Sequence, residues 1–177
     1  MPDSKANLFF HPIRMQIILA LSNQQMTAKE LAKTIADVPQ TTLYRHINAL
    51  VKGGILKVVA ETQIRGTIER TYAMAGPPSL KPEDLRGMKK PDYEQAFIIY
   101  LSTLMNAAQR YFDSKQDDEE FNPLADGVDL SLAQFYLSDK EFRAMNQKIL
   151  ETMLANANNQ PSVERKRRLF TYLFIPQ

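Results

Sequence analysis

Four side chains stand at one pole of a short segment: Thr41, Arg45, Asn48 and Lys52. At about 100° per residue of helix they lie opposite Leu43, Ile47, Leu50 and Val51, which share one arc. The apolar arc would be the buried side. The polar pole carries donors and acceptors of the kind that read base edges and phosphates. Thr41 is small enough for close approach, Arg45 can donate two parallel hydrogen bonds to a guanine, and Asn48 and Lys52, further along, would lie nearer a phosphate backbone. Thr42, Tyr44 and His46 flank the pole, and Gln40 opens the segment. On this helix alone, an ordinary amphipathic element with a solvated face fits equally well.

Other chemistry is thinly represented. The chain has no cysteine, which excludes disulfides and any thiolate metal or redox site. Its two histidines, His11 and His46, do not make a metal set or an acid–base pair, so neither a metal nor a cofactor is expected. No glycine-rich phosphate loop, nucleophile elbow or metal pair occurs, and the expectation is that the protein is not an enzyme. The basic run at 165–168 precedes an apolar stretch and reads as an exposed loop, and the acidic run at 117–120 as a solvated one. The richest apolar run, 97–112, is interrupted by Ser102, Thr103, Asn106, Gln109 and Arg110 and is too polar to span a bilayer. Residues 1–4 carry no signal pattern. A soluble, cytoplasmic protein without a membrane partner is expected.

The elements that must hold the polar pole can be read outward from it. Residues 12–21 form a helix with Ile13, Ile17, Ile18 and Leu21 on one stripe. Thr27 to Glu30 fits a capping box that opens a short helix ending near Ile35. A turn at 37–40 leads into the helix at 40–52, which Gly53 and Gly54 stop. Two strand-like runs, 55–59 and 68–72, flank a polar tip at 62–67. Residues 1–75 hold nine Lys/Arg and five Asp/Glu, a charge of +4, whereas 76–177 hold thirteen and fifteen, a charge of −2. The positive excess lies with the polar pole, as a phosphate-facing surface requires.

These residues resemble the ArsR-type winged-helix regulators. The resemblance rests on His11 to Arg14, Thr27 to Ala32, Thr42 to Leu50, Gly54 to Leu56, and Arg65-Gly66 through Glu69 to Tyr72, and covers about residues 8–75. It implies a dimeric transcriptional regulator with the helix at 40–52 in the major groove and the hairpin at 55–74 beside it as a wing, on adjacent backbone or minor groove. The residues then expected to face double-stranded DNA are Thr27, Gln40, Thr41, Thr42, Tyr44, Arg45, His46, Asn48, Lys52, Arg65 and Thr67. Metal-sensing members of that family use cysteine or histidine–carboxylate clusters, from which this chain departs. A winged helix can also serve as a protein–protein module without DNA readout. Such a module would show apolar residues on the outer pole, where this chain has Thr, Arg, Asn and Lys.

Gly76-Pro77-Pro78, Pro82 and Pro91 break the chain, so 76–92 reads as a linker with a short helical turn near Pro82. Residues 93–177 read as helix, strand, helix, strand. The first helix, 93–114, carries Phe97, Leu101, Leu104, Ala108 and Tyr111 in a 4-3-4-3 seam expected to form a homodimer, with Ile98, Met105 and Phe112 as a second stripe. Ser138 to Glu141 caps a helix reaching about residue 157. Strands at 130–137 and 169–175 would form a sheet between the two helices. Phe97, Tyr100, Phe135, Tyr136, Phe170 and Tyr172 would then line a cleft suited to an apolar effector, unless they simply fill the core. The expected class is mainly α with a small β part (α+β): a winged helix-turn-helix at 1–75 and a helix-strand-helix-strand module at 93–177.

Overall fold

The computed structural model describes every residue except 1–4, 36–37, 65, 77–79, 81, 116–120, 158, 160–161 and 177. The chain is α+β, mainly helical with one small antiparallel sheet. In order it forms α1 (Lys5–Phe9), α2 (Pro12–Leu21), β1 (Met26–Thr27), α3 (Ala28–Thr34), α4 (Gln40–Lys52), β2 (Leu56–Ile64), β3 (Thr67–Met74), a 3₁₀ turn (Pro82–Leu85), α5 (Lys90–Asp113), α6 (Pro123–Asp126) and α7 (Asp139–Asn156).

The N-terminal elements follow from local signals. Pro12 at the first turn of α2 supplies a helical φ where no backbone donor is needed. The capping box of α3 is complete: the Thr27 hydroxyl accepts from the Glu30 amide at 3.2 Å, and the Thr27 amide donates to the Glu30 carboxylate at 2.7 Å. Gly54, at φ +69°, turns the chain from α4 into β2 through a left-handed conformation that suits glycine. β2 and β3 pair antiparallel from Leu56 opposite Met74 to Ile64 opposite Thr67, with an irregularity between Val58 and Ala60. The two-residue β1 adds a third strand, Met26 opposite Tyr72 and Thr27 opposite Thr71, in the order β1-β3-β2. β1 and α1 were not foreseen. Both are shorter than the windows in which apolar periodicity becomes readable.

One core joins these elements. Ile17, Ile18 and Leu21 of α2, Leu31 of α3, Leu43, Ile47 and Leu50 of α4 and Leu56 of β2 are all but completely buried. Burying each such side chain contributes roughly 1.5–3 kcal/mol. This packing fixes the rotation of α4 and so decides which of its residues face out.

The C-terminal part departs from expectation. The helices are present, α5 starting at Lys90 and α7 at Asp139, but neither 130–137 nor 169–175 is a strand. The described part of 162–176 carries only one isolated bridge, Ser162 to Arg165. An apolar run pairs as a strand only where a neighbour offers a backbone edge. Here no second strand faces it, so the sheet and the cleft it would frame do not form. Instead Phe174 packs edge-on against Phe142 of α7 at 5.0 Å, and the Tyr172 hydroxyl lies 3.1 Å from Asn146 Oδ1. Among the described residues no helix is long and apolar enough to cross a membrane.

Candidate nucleic-acid interface

α4 is held by its apolar side and open on the other. Leu43, Ile47 and Leu50 are buried, while Thr41, Arg45, Asn48 and Lys52 are exposed, as their helical phase requires. The outer pole borders a shallow, open depression. Thr41, Tyr44, Arg45, Asn48, Ala49 and Lys52 line a groove of about 530 Å³. A second groove of about 300 Å³ lies between α4 and the sheet, lined by Ala28, Tyr44, Asn48, Ile68, Glu69, Arg70 and Tyr72. Tyr44 and Asn48 border both, so the two grooves make one continuous surface from the helix to the hairpin.

The ends of α4 suit an anion. Pro39 stands at its N-cap and offers no side-chain acceptor, and the first turn contains no acidic residue. Among the described residues no carboxylate therefore neutralises the amides and the positive end of the helix dipole as Glu30 does in α3. Lys52 sits in the last turn. On β3, Arg70 Nε donates to Glu61 Oε1 across the hairpin at 2.8 Å, which fixes its guanidinium beside the second groove. Ile68, 58% exposed, projects from the same strand two residues before it. In the sequence Ile68 and Arg70 mark only the return strand. The two-residue period Ile68, Arg70, Tyr72 is the signal that places them together, once Tyr72 is known to be buried.

The expected site residues sort into three groups. Gln40, Thr41, Tyr44, Arg45, Asn48, Lys52 and Thr67 are exposed, and Thr42 is half-buried. Thr27 is also half-buried and its hydroxyl is engaged in the α3 cap, so it stands at the edge of the surface with its polar group already used. Arg65 lies outside the described residues.

His46 corrects the expectation. It is only 7% exposed and stacks on His11 with ring centroids 4.5 Å apart, so it does not face outward. Its flank of α4 is covered by the α1–α2 junction, which the sequence did not announce. Burial, together with the nearby positive charges of His11, Arg14 and Arg45, lowers the His46 pKa to about 4. Burial and the same two arginines lower that of His11 as well. Arg14 is itself buried and donates to the Asn7 carbonyl at 2.8 Å, tying α2 to α1.

Residues 9–59 match a family model described as a helix-turn-helix domain. These residues are a helix-turn-helix domain. Its second and third helices are α3 and α4, and the matched stretch runs on into β2. No curated protein matches the chain. In helix-turn-helix proteins the helix in the position of α4 lies in the major groove, and here that helix carries the exposed polar pole.

The expected seam residues of α5 are spread between environments. Phe97, Leu101 and Ala108 are exposed, Leu104 and Tyr111 half-buried. Tyr111 donates to Asp126 Oδ2 at 2.7 Å. Neither apolar stripe of α5 contains a fully buried residue. The contact with the helix-turn-helix domain uses a third side, with Ala96 and Ile99 buried and the Thr103 hydroxyl 3.7 Å from the Met15 sulfur. Of the aromatic set proposed for a cleft, Tyr100, Phe170 and Tyr172 come together, with the Tyr100 hydroxyl 3.3 Å from the Tyr172 carbonyl and the Phe170 and Tyr172 rings 6.0 Å apart. Phe135 and Tyr136 are exposed on the segment 128–137 and do not complete it.

Proposed function

We propose that this protein is a sequence-specific DNA-binding transcriptional regulator of the ArsR type that acts as a homodimer. The observation that carries this reading is the continuous open surface from the outer pole of α4 to β3, bearing Thr41, Arg45, Asn48, Lys52 and Arg70, on a helix-turn-helix domain. In this reading α4 enters the major groove, Arg45 reads a base edge and Asn48 stands where helix and wing meet. Lys52 and the N-terminal amides of α4 hold phosphates. Two copies related by a two-fold axis would read an inverted repeat whose half-sites lie about one helical turn apart. The open apolar stripes of α5 are the surfaces through which the copies would meet.

Fluorescence anisotropy against a duplex selected from random sequence tests the reading. Affinity should fall steeply with salt, because each neutralised phosphate releases counterions. Arg45→Ala should cost roughly 1–3 kcal/mol on the selected site and less on random DNA. Lys52→Ala should weaken both alike and lower the salt slope by about 1. Binding indifferent to salt, or absent from every duplex pool, would remove the regulator reading.

A further inference from the structure

The segment from α6 to α7 is the most exposed apolar stretch of the molecule. Residues 128–137 contain no helix or strand, and Leu130, Leu132 and Tyr136 are 92%, 102% and 106% exposed. Beside it, α7 has no fully buried side chain and leaves Leu150 and Leu154, one turn apart, exposed, and α5 leaves Ile98, Met105 and Phe112 open to solvent.

The deficit is measurable. The chain exposes 13877 Å². A compact monomer of its 20.2 kDa mass would expose about 8,800 Å². The excess, about 5,000 Å² per chain, is far more than a small ligand covers, and more than suffices for the roughly 1,000–2,500 Å² that each chain gives to an obligate homodimer interface of about 2,000–5,000 Å² in total. Its composition selects the occupant. Residues 128–137 contain one Asp and no Lys or Arg, so they do not suit DNA or an anionic membrane surface. They are an extended apolar segment, and the helices that follow and precede them offer open apolar stripes. Both halves of the contact lie on the same chain, unpaired with each other, and a two-fold axis would present each to the other.

We propose that residues 128–137 are an exchange arm that lies across the α5 and α7 stripes of a second copy of this chain. The inference rests on the homodimer proposed above and names the segment that makes it. It also accounts for an 18-residue helix without a buried residue: α7 is half of a core that two chains complete.

The absence of native cysteine makes a direct test possible. A full-length Leu132→Cys variant is titrated with a thiol reagent at micromolar protein and again after dilution. The expected result is a thiol at least tenfold slower in the concentrated sample. Sedimentation of Leu132→Asp should show a dimer dissociation constant raised at least a hundredfold over wild type. On a single chain these changes at a fully exposed position would alter nothing. A wild-type protein that sediments as a monomer overturns the proposal. So does a dimer in which the Leu132→Cys thiol reacts at the free rate, or one that Leu132→Asp leaves intact. DNA binding is scored separately: if the arm behaves as expected and no duplex is bound, the regulator reading fails and the arm stands.

Discussion

Residues 5–75 and residues 90–176 are both rich in large apolar side chains, yet they dispose of them in opposite ways. In the first region α4 buries Leu43, His46, Ile47 and Leu50 within 13 residues. In the second, α7 buries nothing in 18, and α5 only Ala96 and Ile99. Helix signals do not separate the two. Thr27 and Ser138 build the same capping box, each accepting from the amide of a glutamate three residues on. A cap forms from one turn of chain, whereas a core needs surfaces from several elements closing on one another. The helix-turn-helix domain finds these within its own chain; the C-terminal half finds them only in part, through contacts such as Phe174 on Phe142.

The contrast is broken or sharpened first in the core. Ile47→Ala should cost roughly 2–5 kcal/mol in urea unfolding, whatever the protein concentration. Leu154→Ala, at a site already 43% exposed, should cost less than about 1 kcal/mol in dilute protein. Equal costs would show that α7 belongs to the monomer core after all.

The second effect is a histidine-borne acid sensitivity, which belongs to the N-terminal region because both histidines lie there. His46 titrates at about 4 when folded and near 6.5 when unfolded. As pH falls, the unfolded chain takes up the proton first. Its contribution is therefore whole above pH 6.5 and is lost progressively as pH falls through 4, up to about 3 kcal/mol. Thermal unfolding across pH 7 to 4 should show this loss, and His46→Gln should flatten it. An unchanged slope in the variant would mean that carboxylates alone carry the acid response.

The smallest effect compares the two caps. Thr27→Ala should cost about 1 kcal/mol of global stability, because α3 is bonded into the core through Leu31. Ser138→Ala should fray the first turn of α7, seen as faster amide exchange there, with little change in the urea midpoint of the N-terminal region. A matching global cost would join the two regions into one cooperative unit.

Much of the candidate interface was legible in the residues. The bounds of α2 and α4, the α3 cap, the buried arc of α4 and its outer pole all follow from a 3.6-residue period punctuated by Pro12, Thr27 and Gly54. Each is local, set by neighbours within a few turns. Those signals do not reach contacts between distant segments. His46 lies on the flank of α4, and whether that flank meets solvent depends on His11, at the junction of α1 and α2, packing against it. The groove shared by Tyr44, Asn48, Ile68 and Arg70 requires β3 to pass beside α4, and Glu61 to hold Arg70 in place.

The apolar runs at 130–137 and 169–175 mark the limit from the other side. Their composition determines that they seek cover, and their length fits a strand. Whether they pair is not a property of either run, because a strand exists only when another backbone edge lies alongside it. The sequence by itself determined the longer helices, though not the short α1 and α6, and which way α4 turns its polar side. Only the tertiary structure decided that the flank of α4 carrying His46 is covered, that among the described residues a sheet forms only in the N-terminal domain, and that the C-terminal apolar segments stay open. The former depend on residues a turn apart, the latter on surfaces brought together from across the chain.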